Sequence, residues 1–268
     1  MNITYITDCT DDNVRGRMAA KIDGLLGEKT SFIGVKSDVE AAGNLIEILN
    51  VTNGAKGIIM VNVAPRDGVQ HKWENGTPFG YLWYKETLLI ASVDGYALSF
   101  LKKFGVADSI NIIEIKDALP TITASGMITP EQEIAIRGTQ FRSLDYVPLA
   151  ARYLMEHKSL PHVVYPFTEV ADMPPAIWWI DNFGNAKTSY TTKEVDFVDG
   201  QNLTTALGNY AAHKSLRDVP DGALSYTIGS SGFGDVHFIE LVAQGVNSGS
   251  ARDALKLQTG SIKNEHGS

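Results

Sequence analysis

Asp8 directly follows a short run rich in β-branched and aromatic side chains, Asn2-Ile3-Thr4-Tyr5-Ile6-Thr7. In a parallel sheet, ligands bind beyond the carboxyl ends of the strands, and the loop after the first strand is the usual place. A carboxylate there can accept two hydrogen bonds from a ribose diol, and the neighbouring Asp11 and Asp12 could hold an ammonium group. Capping of the helix that follows explains Asp11 or Asp12 equally well, because acidic side chains are favoured in a first turn. A second charged turn, Ala64-Pro65-Arg66-Asp67-Gly68, follows a strand pattern ending at Val63, with His71 shortly after it. Arg66, Asp67 and His71 could position a reacting group; a solvated Arg–Asp pair and a solvated histidine are the plain alternatives.

Phe141-Arg142-Ser143-x-Asp145 stands immediately before a helical pattern. Polar groups at a helix start favour an anion or a carboxylate, or simply cap the helix. Towards the C-terminus, Trp178, Trp179 and Phe183 surround Asp181-Asn182-Phe183-Gly184-Asn185. An indole and Phe183 could stack on a flat base, and the Asn185 amide offers both a donor and an acceptor to a purine edge; core packing accounts for the tryptophans as well. No metal site is expected. The 6 histidines are scattered, without His-x-x-x-His spacing or paired cysteines. No Gly-x-Gly-x-x-Gly or P-loop segment follows a strand pattern, and Gly229-Ser-Ser-Gly-Phe-Gly234 reads as a hairpin connection.

The elements that must position these groups alternate. Residues 2–7 predict a strand, and Val14, Met18, Ile22, Leu25 and Leu26 then fall on one face of a helix ending near Gly27. A helix over 39–49 precedes a strand over 57–63. Strands over 87–93 and 110–115 flank a helix over 96–103. Residues 117–140, punctuated by Pro120, Gly126, Pro130 and Gly138, read as a long irregular loop. A helix over 146–156 and a strand over 162–165 complete this part. The simplest assembly is α/β: a three-layer N-terminal domain, residues 1–168, with a mostly parallel sheet covered on both faces. Pro166, Pro174 and Pro175 mark a linker. Beyond it, short strand patterns over 176–180, 187–190, 194–198, 223–228 and 236–243, with one helix near 203–210, predict a smaller C-terminal β-barrel domain, residues 176–268.

Composition bounds the partners. The chain has 268 residues at 44% hydrophobic content, enough for one large or two modest domains. Its 23 Lys+Arg against 31 Asp+Glu give a net charge of −8, and no basic stripe follows phosphates, so nucleic acid is not an expected partner. No apolar run is long enough to span a bilayer, so no membrane partner is expected. The single cysteine, Cys9, and the N-terminal Met1-Asn2-Ile3-Thr4 predict a reducing, cytoplasmic compartment.

Taken in order, several segments resemble the S-adenosylmethionine hydroxide adenosyltransferase family, which includes chlorinase and fluorinase enzymes. They are Thr7-Asp8 with Asp12, Ala64-Pro-x-x-Gly68, Asp94-Gly95, Phe141-x-Ser143-x-Asp145 with Pro148-x-Ala150-Ala151, Ile180-Asp-x-Phe-Gly-Asn185, and Glu240-Leu-Val-x-x-Gly245 with Ser250-Ala251. The Asp-x-Phe-Gly-Asn segment is the most specific. The resemblance implies an α/β domain plus a β-barrel, a homotrimer with sites at subunit interfaces, and no cofactor, S-adenosylmethionine being the substrate. A nucleophile attacks ribose C5′ and expels methionine; the leaving group is a sulfonium, so catalysis is alignment and partial desolvation. By position, Asp8 matches the ribose-binding carboxylate and Asp11 or Asp12 the one facing the methionine amine. Asp181, Phe183 and Asn185 match methionine and adenine contacts, and Phe141 and Ser143 the wall of the nucleophile pocket. Ala64 stands where the family hydrolases carry Asp, and Arg142 where they carry His. Arg66, Asp67, His71 or Arg142 would then position the water. The resemblance implies a hydrolase forming adenosine, with a binding protein that has lost catalysis, or a halogenase using Ser143, as the alternatives.

Overall fold

A computed structural model of the chain describes residues 1–66, 77–244 and 250–262. It divides into two compact units, Met1–Leu45 with Thr52–Ala171, and Ile46–Val51 with Asp172–Ser268. The first unit is built on a seven-stranded sheet of order β2-β1-β3-β5-β4-β6-β7. Its strands are β1 (Asn2–Thr7), β2 (Thr30–Gly34), β3 (Gly57–Asn62), β4 (Phe79–Tyr84), β5 (Thr87–Ser92), β6 (Ser109–Ile113) and β7 (Val163–Pro166). Strands β2, β1, β3 and β5 run parallel, whereas β4, β6 and β7 join by antiparallel pairing.

The helices are α1 (Asp12–Leu26), α2 (Asp38–Thr52), α3 (Ser99–Lys103), α4 (Ile115–Ala124), α5 (Pro130–Arg137), α6 (Arg142–Asp145) and α7 (Val147–His157). Helix α1 ends where its apolar face does, at Gly27 in the left-handed conformation (φ 72°), with the Gly27 amide donating to the Asp23 carbonyl. Strand alternation sends Ile3 and Tyr5 of β1, Ile58 and Met60 of β3, and Leu88 and Ile90 of β5 to one face. There they pack with Met18 and Ile22 of α1, Leu119 and Ile122 of α4, and Leu149 and Leu154 of α7. The intervening Ile6, Ile59, Val61 and Leu89 are also buried, as are Val39 and Leu45 of α2. Both faces of the sheet are covered, the three-layer arrangement expected for this part.

The sheet is less parallel than the sequence alone suggests. Strands β2 and β4 carried no separate signal, and β4 turns the second half of the sheet antiparallel. Residues 117–140 are not a loop but hold α4 and α5. Pro120 is accommodated inside α4, and Pro130 opens α5 behind a capping box in which Thr129 and Gln132 each bond the other's backbone amide.

The second unit has a seven-stranded sheet of order β10-β11-β12-β13-β9-β8-β14, curled into a half-barrel. Its elements are β8 (Ala176–Ile180), β9 (Ala186–Thr191), β10 (Asn202–Thr205), β11 (Gly208–His213), β12 (Leu224–Phe233), β13 (Val236–Ala243), α8 (Ala251–Leu255) and β14 (Gly260–Ser261). Ile177, Tyr226, Ile239 and Leu241 form its core. Trp178 is buried against Phe238, with ring centroids 5.3 Å apart, so one of the two indoles is core. The helix expected near 203–210 is instead the β10–β11 hairpin; Thr204 and Thr205 are β-branched, and Gly208 (φ 124°) takes a backbone conformation that a helix interior would not allow. Residues 194–198 are not a strand. Among the described residues no helix is long and apolar enough to cross a membrane.

Candidate functional site

The chain leaves β1, forms α1 and returns as β2 on one side; it then forms α2 and re-enters as β3 on the other side of β1. The crossovers diverge between β1 and β3, the switch point where open α/β sheets bind ligands. A cavity of about 390 Å³ opens there. Its wall combines the ends of β1 (Asp8, Cys9), β3 (Asn62, Val63, Ala64) and β5 (Ser92), the turn through Arg66, and Arg142 and Ser143 of α6.

Asp8 is the hub. Its Oδ2 accepts from the Ala64 amide at 3.2 Å and from Arg66 Nη2 at 3.1 Å, while Oδ1 is approached by Cys9 Sγ at 3.8 Å. The carboxylate is therefore oriented by its neighbours and keeps acceptor capacity on the cavity side. Burial, and then the adjacent Asp8, push the Cys9 thiol up, so it stays protonated. The 64–66 turn is held from below. Asp38, fully buried at the start of α2, accepts from the Arg66 amide at 3.0 Å and from the Tyr96 amide at 2.8 Å, and Ser92 Oγ donates to the Val63 carbonyl at 3.0 Å. Helix α2 is capped by Ser37, which accepts from the Glu40 amide, so the Asp38 carboxylate is left to join the two loops.

Opposite polar groups enter from α6. The Arg142 guanidinium lies 5.9 Å from the Phe79 ring centroid, and among the described residues no carboxylate reaches ion-pair distance of it. Burial lowers its pKa and Glu114 opposes the shift; a guanidinium still stays charged. Beside Ser143 and Asn62, the hydroxyl of Tyr5 is buried without a hydrogen-bond partner within 3.5 Å. Burial holds this phenol far above its ordinary range, so it remains a neutral donor. Nothing in the sequence marked Tyr5, Asn62, Asp38 or Ser92 as site residues, although their places beside strand ends were open to reading.

Asp11, Asp12 and Phe141 do not line this cavity. Asp11 is the N-cap of α1, its Oδ1 accepting from the Val14 amide at 3.0 Å, and Asp12 is exposed beside Arg15. We expect Asp11→Ala to lower stability by about 1 kcal/mol; a thermal melt checks this, and unchanged affinity for S-adenosylmethionine in the same protein identifies a cap and nothing more. Phe141 is exposed, and its amide donates to Thr139 Oγ1, whose hydroxyl donates to Asp145 at 2.6 Å; this staples the loop before α6. Asp67 and His71 lie outside the described residues, as does Gly245. In the second unit, Asp181 gathers its own turn: Oδ1 accepts from the Phe183 and Asn185 amides, and Oδ2 from Asn185 Nδ2 at 3.0 Å. That leaves Phe183 exposed at the tip. Among the described residues no cluster of three or more His, Cys, Asp or Glu could hold a metal ion.

No family model and no curated relative matches the chain. Two solved structures share its fold. An uncharacterized conserved protein from Thermotoga maritima superposes with a TM-score of 0.64 at 18% identity, covering 97% of each chain. A conserved hypothetical protein from Thermus thermophilus gives 0.59 at 19%, again over 97% of each. At these identities the likeness shows the fold alone.

Proposed function

We propose that this cavity takes the adenosyl end of S-adenosylmethionine and that water displaces methionine at the ribose C5′, giving adenosine. The observation that carries the reading is Asp8, a carboxylate fixed at the β1–β3 switch point with one oxygen bonded to Ala64 and Arg66 and the other, approached only by Cys9 Sγ, left with capacity to accept from hydroxyl donors. A ribose diol supplies two such donors. The water oxygen forms the bond to C5′ as the C–S bond breaks, the electron pair leaves with neutral methionine, and the proton passes to solvent. A sulfonium needs no acid to depart, so the protein has only to align the water and strip part of its hydration. On this reading Ser143 holds the water, and Arg142 and Arg66 position it. Asp181, Phe183 and Asn185 would contact methionine and adenine in a homotrimer.

A second reading, binding without turnover, is favoured by one observation. Among the described residues of the wall, Asp8 is the only carboxylate and no histidine is present, so no free base faces the water. Incubation of the purified protein with S-adenosylmethionine in ¹⁸O-water separates the two. Adenosine labelled at its 5′ oxygen supports the hydrolase. Saturable binding heat without product supports the second reading, 5′-chloro-adenosine in added chloride would reassign the nucleophile, and neither heat nor product refutes both.

A further inference from the structure

A second cavity of about 540 Å³ lies beside the first and shares Phe79, Gln140 and Arg142 with it. Its wall includes the start of α4, where Glu114 occupies the N-cap position but makes no capping hydrogen bond. The first-turn amides of Ile115 and Lys116 therefore point to a helix end without a side-chain acceptor. Three cationic side chains, Lys116, Arg137 and Arg142, line the cavity against one carboxylate, Glu114. An independent feature marks the same place. Tyr146 also lines it, is 1% exposed, and its hydroxyl finds no hydrogen-bond partner. Burial keeps that hydroxyl a neutral donor. An orphaned buried donor is costly, and natural structures retain one chiefly where a ligand or water completes it.

We propose that this cavity is a binding site for a small organic carboxylate. The carboxylate accepts from the Tyr146 hydroxyl and the α4 amides and is neutralised by Lys116, Arg137 and Arg142. Arg137 is already held by Glu133 one helical turn earlier, which fixes its guanidinium in place. Phe79, Ile113 and Ile115 give the wall an apolar part beside Thr139 and Gln140. It fits a short hydrocarbon body better than a bare inorganic anion. The inference does not rest on the S-adenosylmethionine reading, because only Arg142 among the charged groups belongs to both cavities.

The test is a ¹⁹F NMR titration of the full chain with 4,4,4-trifluorobutanoate, with inorganic phosphate as the comparison anion. Saturable broadening is expected. Affinity should fall about tenfold in Lys116→Ala and in Arg137→Ala, and several-fold in Tyr146→Phe, which removes only the orphaned hydroxyl. Asp8→Ala, in the first cavity, should leave the titration unchanged. No saturable effect, a response to phosphate but not to the carboxylate, or a changed affinity in Asp8→Ala would each overturn the proposal. Tighter binding in Asp8→Ala would assign the anion to the first cavity, where Arg66 loses its carboxylate partner.

Discussion

Asp8→Ala is expected to weaken S-adenosylmethionine binding at least about a hundredfold, because two charge-assisted hydrogen bonds to a ribose diol are lost together. The substitution tests function with little disturbance of the fold. Asp8 stabilises little by itself, since its ion pair is to an Arg66 side chain that is 60% exposed, and such pairs contribute under about 1 kcal/mol. Its other contact, the Ala64 amide, can turn to water. The melting temperature of Asp8→Ala should therefore stay within a few degrees of wild type while calorimetric binding disappears. Asp8→Asn is the sharper control. Its amide keeps one acceptor oxygen for a hydroxyl but loses the charge and sets an NH₂ against Arg66 or Ala64, so affinity should fall by an intermediate amount. Unchanged affinity in Asp8→Ala would refute the placement of the ribose at the β1–β3 switch point, whatever the product assay shows.

How much of this was open to sequence reading depends on the range of the signal. Asp8, the 64–66 turn and the Arg142-Ser143 pair were legible because each sits at the end of a locally recognisable element, and a parallel sheet gathers such ends along one edge. The order in which strands pair is not a local property, so the antiparallel entry of β4 was not, whereas the curled second sheet agrees with the barrel that the short strand patterns predict. Residues 117–140 show a different limit. Prolines and glycines were read as punctuation, although Thr129-Pro130-x-Gln132 is a helix start and the glycines follow helix ends. Tyr5 was visible as a strand residue, but only the folded chain brings Ser143 and Asn62 from distant segments beside its hydroxyl. Asp181 was legible as a candidate contact, but its bonds to the amides two and four residues ahead, which shape its own turn, were not read from the sequence. Asp38 was the reverse case. It reads as an ordinary acidic first-turn residue, and only tertiary structure brings the Arg66 and Tyr96 amides to its two oxygens.

That carboxylate underlies the second large effect, Gly95→Ala. Gly95 has φ 71°, and a Cβ built on it would overlap Asp38 Oδ2 and lie 2.7 Å from Pro65 Cβ. Alanine in the left-handed region costs about 1 kcal/mol, and the overlap adds about 1–3 kcal/mol, for a loss of about 2–4 kcal/mol. Neither neighbour can step aside cheaply. Pro65 belongs to the turn that carries Arg66, and Asp38 is fully buried, so retreat leaves an ionised group with broken hydrogen bonds. At about 2–4 °C per kcal/mol for a domain of this size, the melting temperature should drop by roughly 5–15 °C. Binding should fall as well, although Gly95 does not line the cavity, because the methyl displaces the 64–66 turn that orients Asp8. The two variants thus leave opposite signatures: Asp8→Ala loses affinity at nearly native stability, and Gly95→Ala loses stability first and affinity with it. A Gly95→Ala protein that melts like wild type would show that Asp38 does not clamp these loops, and the fixed geometry of Asp8 would then need another source.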